Sequence, residues 1–343
     1  MVSRPGSPLV LFCAAAGPQR GFGHLVRCGV LADALGVRRE MALRGSLRTV
    51  PAAVRLGWTV HRGGSRRLLF QLAPDLVLVD DPSPRHVALW VREARRLGIA
   101  VATVHDLGLA RVDSDLAIDG SVAQARGVRR ADLEGPAFAI LDPAIATLRS
   151  RPPAREARRV LIALGGGANA RAVGVQLARR ISRAVPDAVI RIAAGFQTGG
   201  ATPGTLPPRC QWLDAPAGLA HALATSSVAV VAGGVTLYEA AALGTPVVAL
   251  AIVAAQRPSV RAFAKAGAAI EATGPIGTSR SARRRGMDRA AALVAVLLAD
   301  PAGRRSMSRR ARGLVDGQGT ARAVRRLLTL LAGSSTEEVR HVA

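Results

Sequence analysis

Short apolar runs separated by amphipathic stretches recur along the whole chain. In the first half, the apolar runs predict strands at residues 9–15, 40–43, 59–61, 75–80, 99–104, 116–118 and 138–141. Apolar positions spaced three and four residues apart predict helices at residues 50–56, 66–72 and 85–97, and another that begins near His24. Strands that alternate with helices are typical of a parallel sheet covered on both faces.

The same alternation resumes after residues 149–155, where two adjacent prolines and three arginines are typical of an exposed linker. Strands are predicted at residues 160–164, 189–194, 211–213, 228–232, 247–252 and 268–272, and helices at 171–185, 217–224, 236–243, 260–266, 282–299 and 322–331. The chain is therefore predicted to be an α/β protein with two Rossmann-like domains, residues 1–150 and 151–333, followed by a mobile tail, residues 334–343.

Two glycine turns in the second half follow predicted strands. One is Gly165-Gly166-Gly167-Ala168-Asn169, and the other is Gly233-Gly234 before a helix that contains Thr236 and Glu239. Ligands of parallel sheets lie beyond the carboxyl ends of the strands, where helix N-termini attract phosphate. Thr236 is a candidate helix cap and Glu239 can accept hydrogen bonds from ribose hydroxyls. A well-packed βαβ unit with a solvated Glu239 explains the second turn equally well.

The first glycine turn partly matches a dinucleotide-binding fingerprint. Gly165, Gly167 and Ala170 satisfy G-x-G-x-x-A, but the next predicted strand ends Ile192-Ala193-Ala194, without the acidic residue that contacts ribose in NAD sites. We therefore interpret this segment as a generic diphosphate-binding turn and predict no cofactor. No His, Cys and Asp cluster has metal-ligand spacing, so we predict no metal.

The first predicted strand leads into a glycine loop and a histidine. Residues 17–28 are Gly-Pro-Gln-Arg-Gly-Phe-Gly-His-Leu-Val-Arg-Cys, which places His24 at a helix N-terminus. The helix dipole disfavours an imidazolium there, so we expect a neutral ring that is available as a base. A histidine that caps its own helix is an equally weighted alternative.

Carboxylates end two further strands of the first half, as Asp80-Asp81 and as Asp106. Carboxylates at strand ends are well placed to take part in an active site, and they are also common in turns. For Asp81 we favour a turn. The remaining histidines are expected at the surface or in turns, with His105 of interest because it adjoins Asp106; they are His61, His86, His105, His221 and His341.

The charge and the aromatic content of the chain bear on which kinds of molecule it binds. The formal net charge is +24, but 46 of the 47 basic residues are arginines scattered through the chain, and aromatic residues are only 3%. This distribution is typical of a GC-rich coding sequence and argues against a specific nucleic-acid partner, while peripheral attraction to anionic membranes stays open. Cys13, Cys28 and Cys210 have no paired spacing, which favours reduced thiols in a cytoplasmic protein.

Several of these segments resemble the PseG/SpsG family, which comprises UDP-sugar hydrolases of pseudaminic acid synthesis and their spore-coat polysaccharide relatives. Residues 21–28 look like the G-x-G-H-x-x-R-C loop of that family, and residues 232–239, Ala-Gly-Gly-Val-Thr-Leu-Tyr-Glu, look like a second specific motif. Weaker matches at residues 75–80, 106–107, 135–141 and 164–166 follow in the family's order. The resemblance extends to about residue 270.

The resemblance implies GT-B architecture, related to MurG, with a cleft between the two Rossmann-like domains. It implies that the second domain holds UDP and that His24 activates water to cleave the anomeric C–O bond with inversion, in nonulosonic acid or surface polysaccharide biosynthesis. The substrate-binding candidates are Gly21, Gly23, Arg27, Asp80, Asp106, Gly165, Gly166, Asn169, Gly233, Gly234, Thr236, Glu239 and Gln256.

The chain also departs from the family pattern. Departures occur at His105, Asp142, Ala168 and Ala255, several of which would face the sugar. A glycosyltransferase that moves the sugar to a lipid or glycan acceptor is an alternative. A non-catalytic nucleotide-sugar-binding protein is another, although the presence of His24 argues against it. The oligomeric state stays open.

Overall fold

A computed structural model describes residues 7–17, 20–107, 112–123, 131–152, 155, 157–166, 170–195, 205–215, 218–272 and 280–341, with the backbone alone at 280 and 334–341. The chain forms two compact units. The first comprises Met1–Pro143 with Gln318–Ala343, and the second comprises Ala144–Gly317. Each unit has its own parallel sheet, as the alternation of strands and helices predicts.

The first unit contains a seven-stranded sheet within its described residues. Its strands are β1 (Leu9–Ala15), β2 (Arg38–Arg44), β3 (Thr59–His61), β4 (Leu76–Asp80), β5 (Ala100–Val104), β6 (Leu116–Asp119) and β7 (Leu133–Glu134). Its first four helices are α1 (Gly23–Leu35), α2 (Val50–Arg55), α3 (Ser65–Leu72) and α4 (Pro84–Arg96). Every residue of β1 and β4 is buried, which explains their continuous apolar runs.

The strand order of this sheet is β3-β2-β1-β4-β5-β6-β7, and all pairs are parallel. The chain winds from β1 outward to β3, returns to β4 and then continues in the opposite direction. The winding therefore reverses between β1 and β4, where Ala14 lies beside Asp80. Ligands of open α/β sheets bind at such a switch point, beyond the carboxyl ends of the strands.

The second unit contains a six-stranded sheet within its described residues, in the order β10-β9-β8-β11-β12-β13. The strands are β8 (Arg159–Ala163), β9 (Val189–Ala193), β10 (Cys210–Leu213), β11 (Val228–Ala232), β12 (Val247–Leu250) and β13 (Ile270–Glu271). The helices are α5 (Ala144–Ser150), α6 (Ala170–Ala184), α7 (Ala220–Thr225), α8 (Val235–Leu243), α9 (Arg257–Lys265), α10 (Arg280–Ala299) and α11 (Pro301–Leu314). Here the winding reverses between β8 and β11, so both glycine turns follow strands at a switch point.

The last helix, α12 (Gly319–His341), belongs to the first unit. The Thr320 hydroxyl accepts a hydrogen bond from the backbone N–H of Leu141 at 2.9 Å, and Arg322 donates to the carbonyl of Ala137 at 2.7 Å. The predicted domains, residues 1–150 and 151–333, therefore differ from the compact units in two places. Residues 144–150 belong to the second unit, and residues 318–333 belong to the first. The helix also runs into residues 334–343, whose mobility stays a prediction.

The predicted linker at residues 149–155 begins inside α5. Arg149, in the last turn of α5, donates to the carbonyls of Ala242 at 2.7 Å and Arg312 at 2.8 Å. These bonds attach α5 to the second unit, whereas the sequence shows only a basic, proline-rich stretch there.

Most predicted strands and helices occur within a few residues of their expected bounds, with three exceptions. The strand predicted at residues 138–141 is wrong, because Pro136–Phe138 is a 3-10 turn and the strand that pairs with β6 is β7. Pro136 has no N–H to donate and Gly135 has a φ of 95°, which together end the pairing. Helices α5 and α11 were not predicted; α11 is mostly arginine and small polar residues and buries only Met307 and Ala311.

Candidate active site

Four predicted site residues meet at the carboxyl edge of the first sheet. His24 is the second residue of α1, and Arg27 lies one turn later on the same side of the helix. Asp80 is the last residue of β4, and Asp106 follows β5. Because β1, β4 and β5 are adjacent parallel strands, the segments that follow them lie side by side.

The imidazole of His24 is held by the carboxylate of Asp80. Nδ1 of His24 lies 2.7 Å from Oδ1 of Asp80, and the side chains are 15% and 1% exposed. Asp80 also accepts hydrogen bonds from Nε of Arg27 at 2.7 Å and from Nη2 at 2.6 Å. An ionised Asp80 can only accept, so Nδ1 of His24 carries the proton, and in the neutral ring the lone pair is on Nε2.

Arg27 bridges two carboxylates. It donates from Nη1 to Oδ1 of Asp106 at 2.7 Å and from Nη2 to Oδ2 at 3.1 Å, in addition to its two bonds to Asp80. Both pairs are bidentate, a geometry that only a guanidinium provides. The Asp106 side chain is 51% exposed, so it is the carboxylate of the cluster with most access to solvent.

The charge on His24 is set by Asp80. Burial by itself would lower the pKa of His24, but the attraction of the Asp80 carboxylate and the hydrogen bond to it outweigh burial, and the pKa is raised from its ordinary value of 6.5. Asp80 therefore acts on the pKa of His24 in the opposite direction to the helix N-terminus, which disfavours the imidazolium. A carboxylate at 2.7 Å acts more strongly than a helix dipole, which is worth a fraction of a charge.

Both carboxylates are stabilised in their ionised form. Burial would raise the pKa of Asp80, but Arg27 and His24 hold it well below its usual range. The guanidinium of Arg27, which donates to both oxygens of Asp106, lowers the pKa of that carboxyl. With a neutral His24, the cluster of Arg27, Asp80 and Asp106 carries one net negative charge, which favours an imidazolium as it forms.

The glycine loop before α1 is closed by its own backbone. The N–H of Gly17 donates to the carbonyl of Gly21 at 2.9 Å, and the N–H of Gly21 donates back at 2.7 Å. Gly21 has a φ of 78°, which favours glycine. Phe22 is the N-cap of α1 and Gly23 is the first helical residue, and no side chain of the described residues caps this helix end. The alternative that His24 caps its own helix is therefore wrong.

The backbone after Asp106 is held in an unusual conformation. Leu107 has a φ of 63°, in the left-handed region that a leucine rarely adopts, and its N–H donates to Oγ of Ser121 at 2.7 Å. The N–H of Ser121 in turn donates to Oδ1 of Asp119 at 2.9 Å. Sequence reasoning missed Ser121; the available signal was its place just after β6, the strand next to β5.

Two neighbours of the cluster have other roles. Asp81 accepts from Nε of Arg44 at 2.6 Å and from the N–H of Ser83 at 2.7 Å, which confirms it as a turn residue. His105, expected at the surface or in a turn, lies in the segment after β5 and is buried, with its Nε2 2.8 Å from Oγ1 of Thr103.

In the second unit, the two glycine turns follow the adjacent strands β8 and β11. Gly234 is the N-cap of α8, and a Cβ added to it would meet no described heavy atom within 4 Å. A Cβ on Gly233 would lie 2.7 Å from Cγ2 of Val260 and 2.9 Å from the carbonyl oxygen of Gln256. Gly233 is therefore packed against the turn that carries Gln256, whereas the start of α8 is accessible at Gly234.

Thr236 and Glu239 lie within α8. Thr236 is its second residue, and no described side chain caps this helix, so the predicted capping role of Thr236 is wrong. Both side chains are partly exposed and are three residues apart, on one side of the helix. This places Glu239 one turn from the accessible glycine, as predicted.

The other predicted residues of the second unit are only partly described. Gly165 has a φ of 80°, and its carbonyl oxygen lies 3.2 Å from the position of a Cβ on Gly195, so the two glycine segments approach closely. Gly166 is partly exposed. Asn169, with Gly167 and Ala168, lies outside the described residues. Oε1 of Gln256 accepts from the N–H of Ile252 at 2.9 Å and shapes the turn after β12.

The described ranges contain neither a metal-binding cluster nor a membrane-spanning helix. No group of three or more His, Cys, Asp or Glu residues there is arranged to hold a metal ion. Among the helices described, none combines the length and apolarity needed to cross a bilayer.

The chain is similar to one curated protein over part of its length. The spore coat polysaccharide biosynthesis protein SpsG of Bacillus subtilis (strain 168) is 30% identical over 147 residues, which are 40% of this chain and 42% of that protein. The match thus spans less than half of the relative. No family model matches the chain.

Solved structures establish the fold. The spinosyn rhamnosyltransferase SpnG has a TM-score of 0.61 at 17% identity, over 93% of this chain and 100% of that chain, and is also solved with thymidine diphosphate. MurG of Acinetobacter baumannii has a TM-score of 0.60 at 17% identity, over 94% of this chain and 100% of that chain. The protein has the α/β GT-B fold, which confirms the predicted fold class.

Proposed function

We propose that this chain is an enzyme that cleaves the anomeric C–O bond of a nucleotide sugar and releases the nucleoside diphosphate. The proposed substrate is a UDP-sugar. The observation that carries the proposal is the 2.7 Å contact between His24 and Asp80 at the switch point of the first sheet. This contact directs the basic Nε2 away from Asp80. A neutral imidazole oriented by a carboxylate is suited to remove a proton from an attacking hydroxyl.

The proposed step is a single displacement at the anomeric carbon. Nε2 of His24 takes a proton from the attacking water as the water oxygen forms its bond to that carbon. The bond from the carbon to the diphosphate breaks, its electron pair leaves with the diphosphate, and the configuration inverts. Asp80 stabilises the imidazolium and stays ionised, because Arg27 donates two hydrogen bonds to it.

The second unit is proposed to bind the nucleoside diphosphate. The start of α8 is accessible at Gly234, where backbone N–H groups and the positive end of the helix dipole stabilise negative charge on the leaving group. Glu239, one turn further, is proposed to accept from the ribose hydroxyls. The solved complex of SpnG with thymidine diphosphate supports a nucleotide ligand for this fold.

Water and a hydroxyl acceptor are the two candidate nucleophiles. Hydrolysis is the first candidate, because residues 21–28 resemble the loop of UDP-sugar hydrolases. Glycosyl transfer is the second, favoured by the fold likeness to SpnG, a rhamnosyltransferase. His24 removes the proton in both reactions. The partial match to SpsG supports a role in surface polysaccharide biosynthesis, and the resemblance of residues 21–28 to the hydrolase loop favours nonulosonic acid biosynthesis as the alternative. A cytoplasmic location fits an enzyme that uses soluble nucleotide sugars.

The test measures UDP release without an acceptor, from a UDP-sugar panel that includes the diacetamido trideoxy altrose of pseudaminic acid synthesis. His24→Ala is expected to lower turnover by about 10²- to 10⁴-fold while UDP still binds. His86→Ala, which removes an exposed histidine of α4, is the matched control and should keep full activity.

The outcomes separate the candidates. UDP binding with release only after an acceptor is added would replace hydrolysis by transfer. UDP-sugar binding without turnover across water and an acceptor panel would leave a binding protein. A chain that binds neither UDP nor thymidine diphosphate would overturn the whole proposal.

A further inference from the structure

The pairing of β5 with β6 ends at a side chain and not at a backbone carbonyl. Beyond the two strands, the N–H of His105 still donates to the carbonyl of Ile118 at 2.8 Å. Bonds of a parallel ladder recur at every second residue, so the next would join the N–H of Leu107 to the carbonyl of Gly120. Leu107 donates instead to Oγ of Ser121 at 2.7 Å. The hydroxyl of Ser121 therefore takes the place of a backbone acceptor.

The bond to Ser121 holds Leu107 in a strained conformation. Leu107 has a φ of 63°, where the Cβ of a leucine is crowded by its own backbone. Leu107 is 8% exposed and Ser121 is 4% exposed. A buried N–H is costly without an acceptor, so the position of the hydroxyl fixes the turn at Leu107. Loss of that acceptor would let Leu107 return to an extended conformation and would move Asp106, the residue before it.

Ser121 is itself held on a rigid support. Its N–H donates to Oδ1 of Asp119 at 2.9 Å, and Asp119, the last residue of β6, is 2% exposed. A Cβ added to Gly120 would lie 2.5 Å from Cα of Ala139 and 2.7 Å from its backbone nitrogen, so this segment packs directly against the backbone of residue 139. The hydroxyl of Ser121 therefore has a fixed position relative to β6.

The side chain that this turn carries, Asp106, balances the charge of Arg27. Nη2 of Arg27 lies 3.3 Å from Nδ1 of His24, and a guanidinium this close disfavours an imidazolium. Asp106 accepts from Nη1 and Nη2 of Arg27, and Asp80 accepts from Nε and Nη2, so two carboxylates compensate one cation. With Asp106 displaced, the groups around the neutral ring would carry no net charge, and an imidazolium would form beside a less balanced guanidinium.

We propose that Ser121 is a positioning residue of the proposed active site. Its hydroxyl holds the turn at Leu107 and thereby directs the Asp106 carboxylate to Arg27. There the carboxylate balances the guanidinium charge beside His24. The inference rests on the proposed function, in which His24 is the base. Because Ser121 acts through Asp106, its effect on the histidine requires that carboxylate.

The first experiment measures the titration of His24 by NMR in the resting protein, with His24→Gln used to assign the ring signals. Ser121→Ala is expected to lower the pKa of His24, in the same direction as Asp106→Asn, because both leave the Arg27 charge less balanced. Ser121→Ala should add little further shift in the Asp106→Asn background. No substrate is present, so a failure of the proposed function does not affect this measurement.

The variants Ser121→Thr and Ser121→Val separate the hydroxyl from the space around it. The two new side chains have nearly the same shape, and only threonine keeps an oxygen acceptor. Ser121→Thr is expected to titrate close to wild type, whereas Ser121→Val should lower the pKa of His24. Any steric cost of the added methyl group is common to both, so this pair decides the result if Ser121→Ala does not fold.

Ser226→Ala is the matched control. Ser226 is 1% exposed and its Oγ donates to the carbonyl of Ala222 at 2.6 Å, so this substitution also removes a buried hydroxyl, but in the second unit. The titration of His24 should be the same in Ser226→Ala as in wild type. Circular dichroism with thermal melting checks that each variant is folded.

The second experiment is steady-state kinetics on a UDP-sugar that the wild type turns over. Ser121→Ala is expected to lower kcat roughly 10- to 100-fold and to move the acid limb of kcat/KM to lower pH, with UDP affinity retained. The inference is overturned if folded Ser121→Ala titrates as wild type does, or if the shifts of Ser121→Ala and Asp106→Asn are additive. Where Ser121→Ala does not fold, equal titration of Ser121→Thr and Ser121→Val overturns it.

Discussion

Nδ1 of His24 lies 2.7 Å from Oδ1 of Asp80, so a residue of the first helix contacts the last residue of β4 across the switch point of the first sheet. The contact orients the ring, selects its tautomer and raises its pKa. Arg27 holds Asp80 from the other side and extends the cluster to Asp106. Each consequence can be tested separately.

Asp80→Asn is expected to lower kcat by about 10²- to 10⁴-fold while UDP affinity is retained. Both oxygens of Asp80 accept hydrogen bonds, and an amide offers only one acceptor. If that oxygen faces Arg27, the NH₂ group faces Nδ1 of His24 and the ring proton moves to Nε2. Steady-state kinetics and UDP titration measure the effect, with Asp33→Asn, an exposed acid, as control. Unchanged kcat in Asp80→Asn would contradict the role of Asp80.

The pH dependence of kcat/KM is expected to show an acid limb centred above pH 6.5, because the pKa of His24 is raised and the base must be neutral to act. In Asp80→Asn the limb should move to lower pH, since the carboxylate that favours the imidazolium is gone. Rate profiles of both proteins over the neutral range check this. A wild-type limb centred below pH 6.5 would contradict the assignment.

Arg27→Gln is expected to destabilise the protein by about 3–5 kcal/mol near neutral pH, because it leaves the buried Asp80 charge without its cation. Arg158→Gln, which removes an exposed partner of Asp187, is the control and should cost under about 1 kcal/mol. Urea unfolding measures both changes. Equal effects of the two substitutions would show that Arg27 has no special role.

The stability of the cluster is expected to depend on pH in two opposite ways. The pKa values of Asp80 and Asp106 are lowered in the folded protein, so their contribution is present above about pH 3.8 and is lost as pH falls through the folded values. The raised pKa of His24 contributes below about pH 6.5 and is lost as pH rises through the folded value. The stability difference between wild type and Arg27→Gln should therefore shrink in acid. Urea unfolding as a function of pH tests this, and a constant difference would refute it.

Gly234→Ala and Gly233→Ala are expected to separate ligand binding from folding. The new Cβ of Gly234→Ala meets no described atom within 4 Å, so stability should fall by under about 1 kcal/mol, the cost of alanine at an N-cap, while UDP affinity falls about tenfold if the diphosphate contacts this helix end. Gly233→Ala places a Cβ 2.7 Å from Val260 and should cost about 1–3 kcal/mol. Urea unfolding and UDP titration measure the pair. Unchanged UDP affinity in Gly234→Ala would place the diphosphate elsewhere.

The alternation of apolar runs was sufficient to predict the fold class and most elements, because buried parallel strands are apolar on both faces. It failed where other interactions decide the local structure. Helix α5 is held by Arg149 bonding to distant carbonyls, and α11 has too few apolar positions to show a period. The return of α12 to the first unit depends on contacts such as that of Thr320 with Leu141, 179 residues apart.

Local features of the site could be predicted from short stretches of sequence: a histidine in the first turn of a helix, acids at strand ends, and glycine turns after strands. These follow from periodicity, caps and turns, which act over a few residues. The contact of Asp80 with His24 depends on the tertiary structure, and it acts on the histidine pKa in the opposite direction to the helix N-terminus. The order of strands sets this contact between residues 56 apart, and that order is determined by packing of the whole sheet.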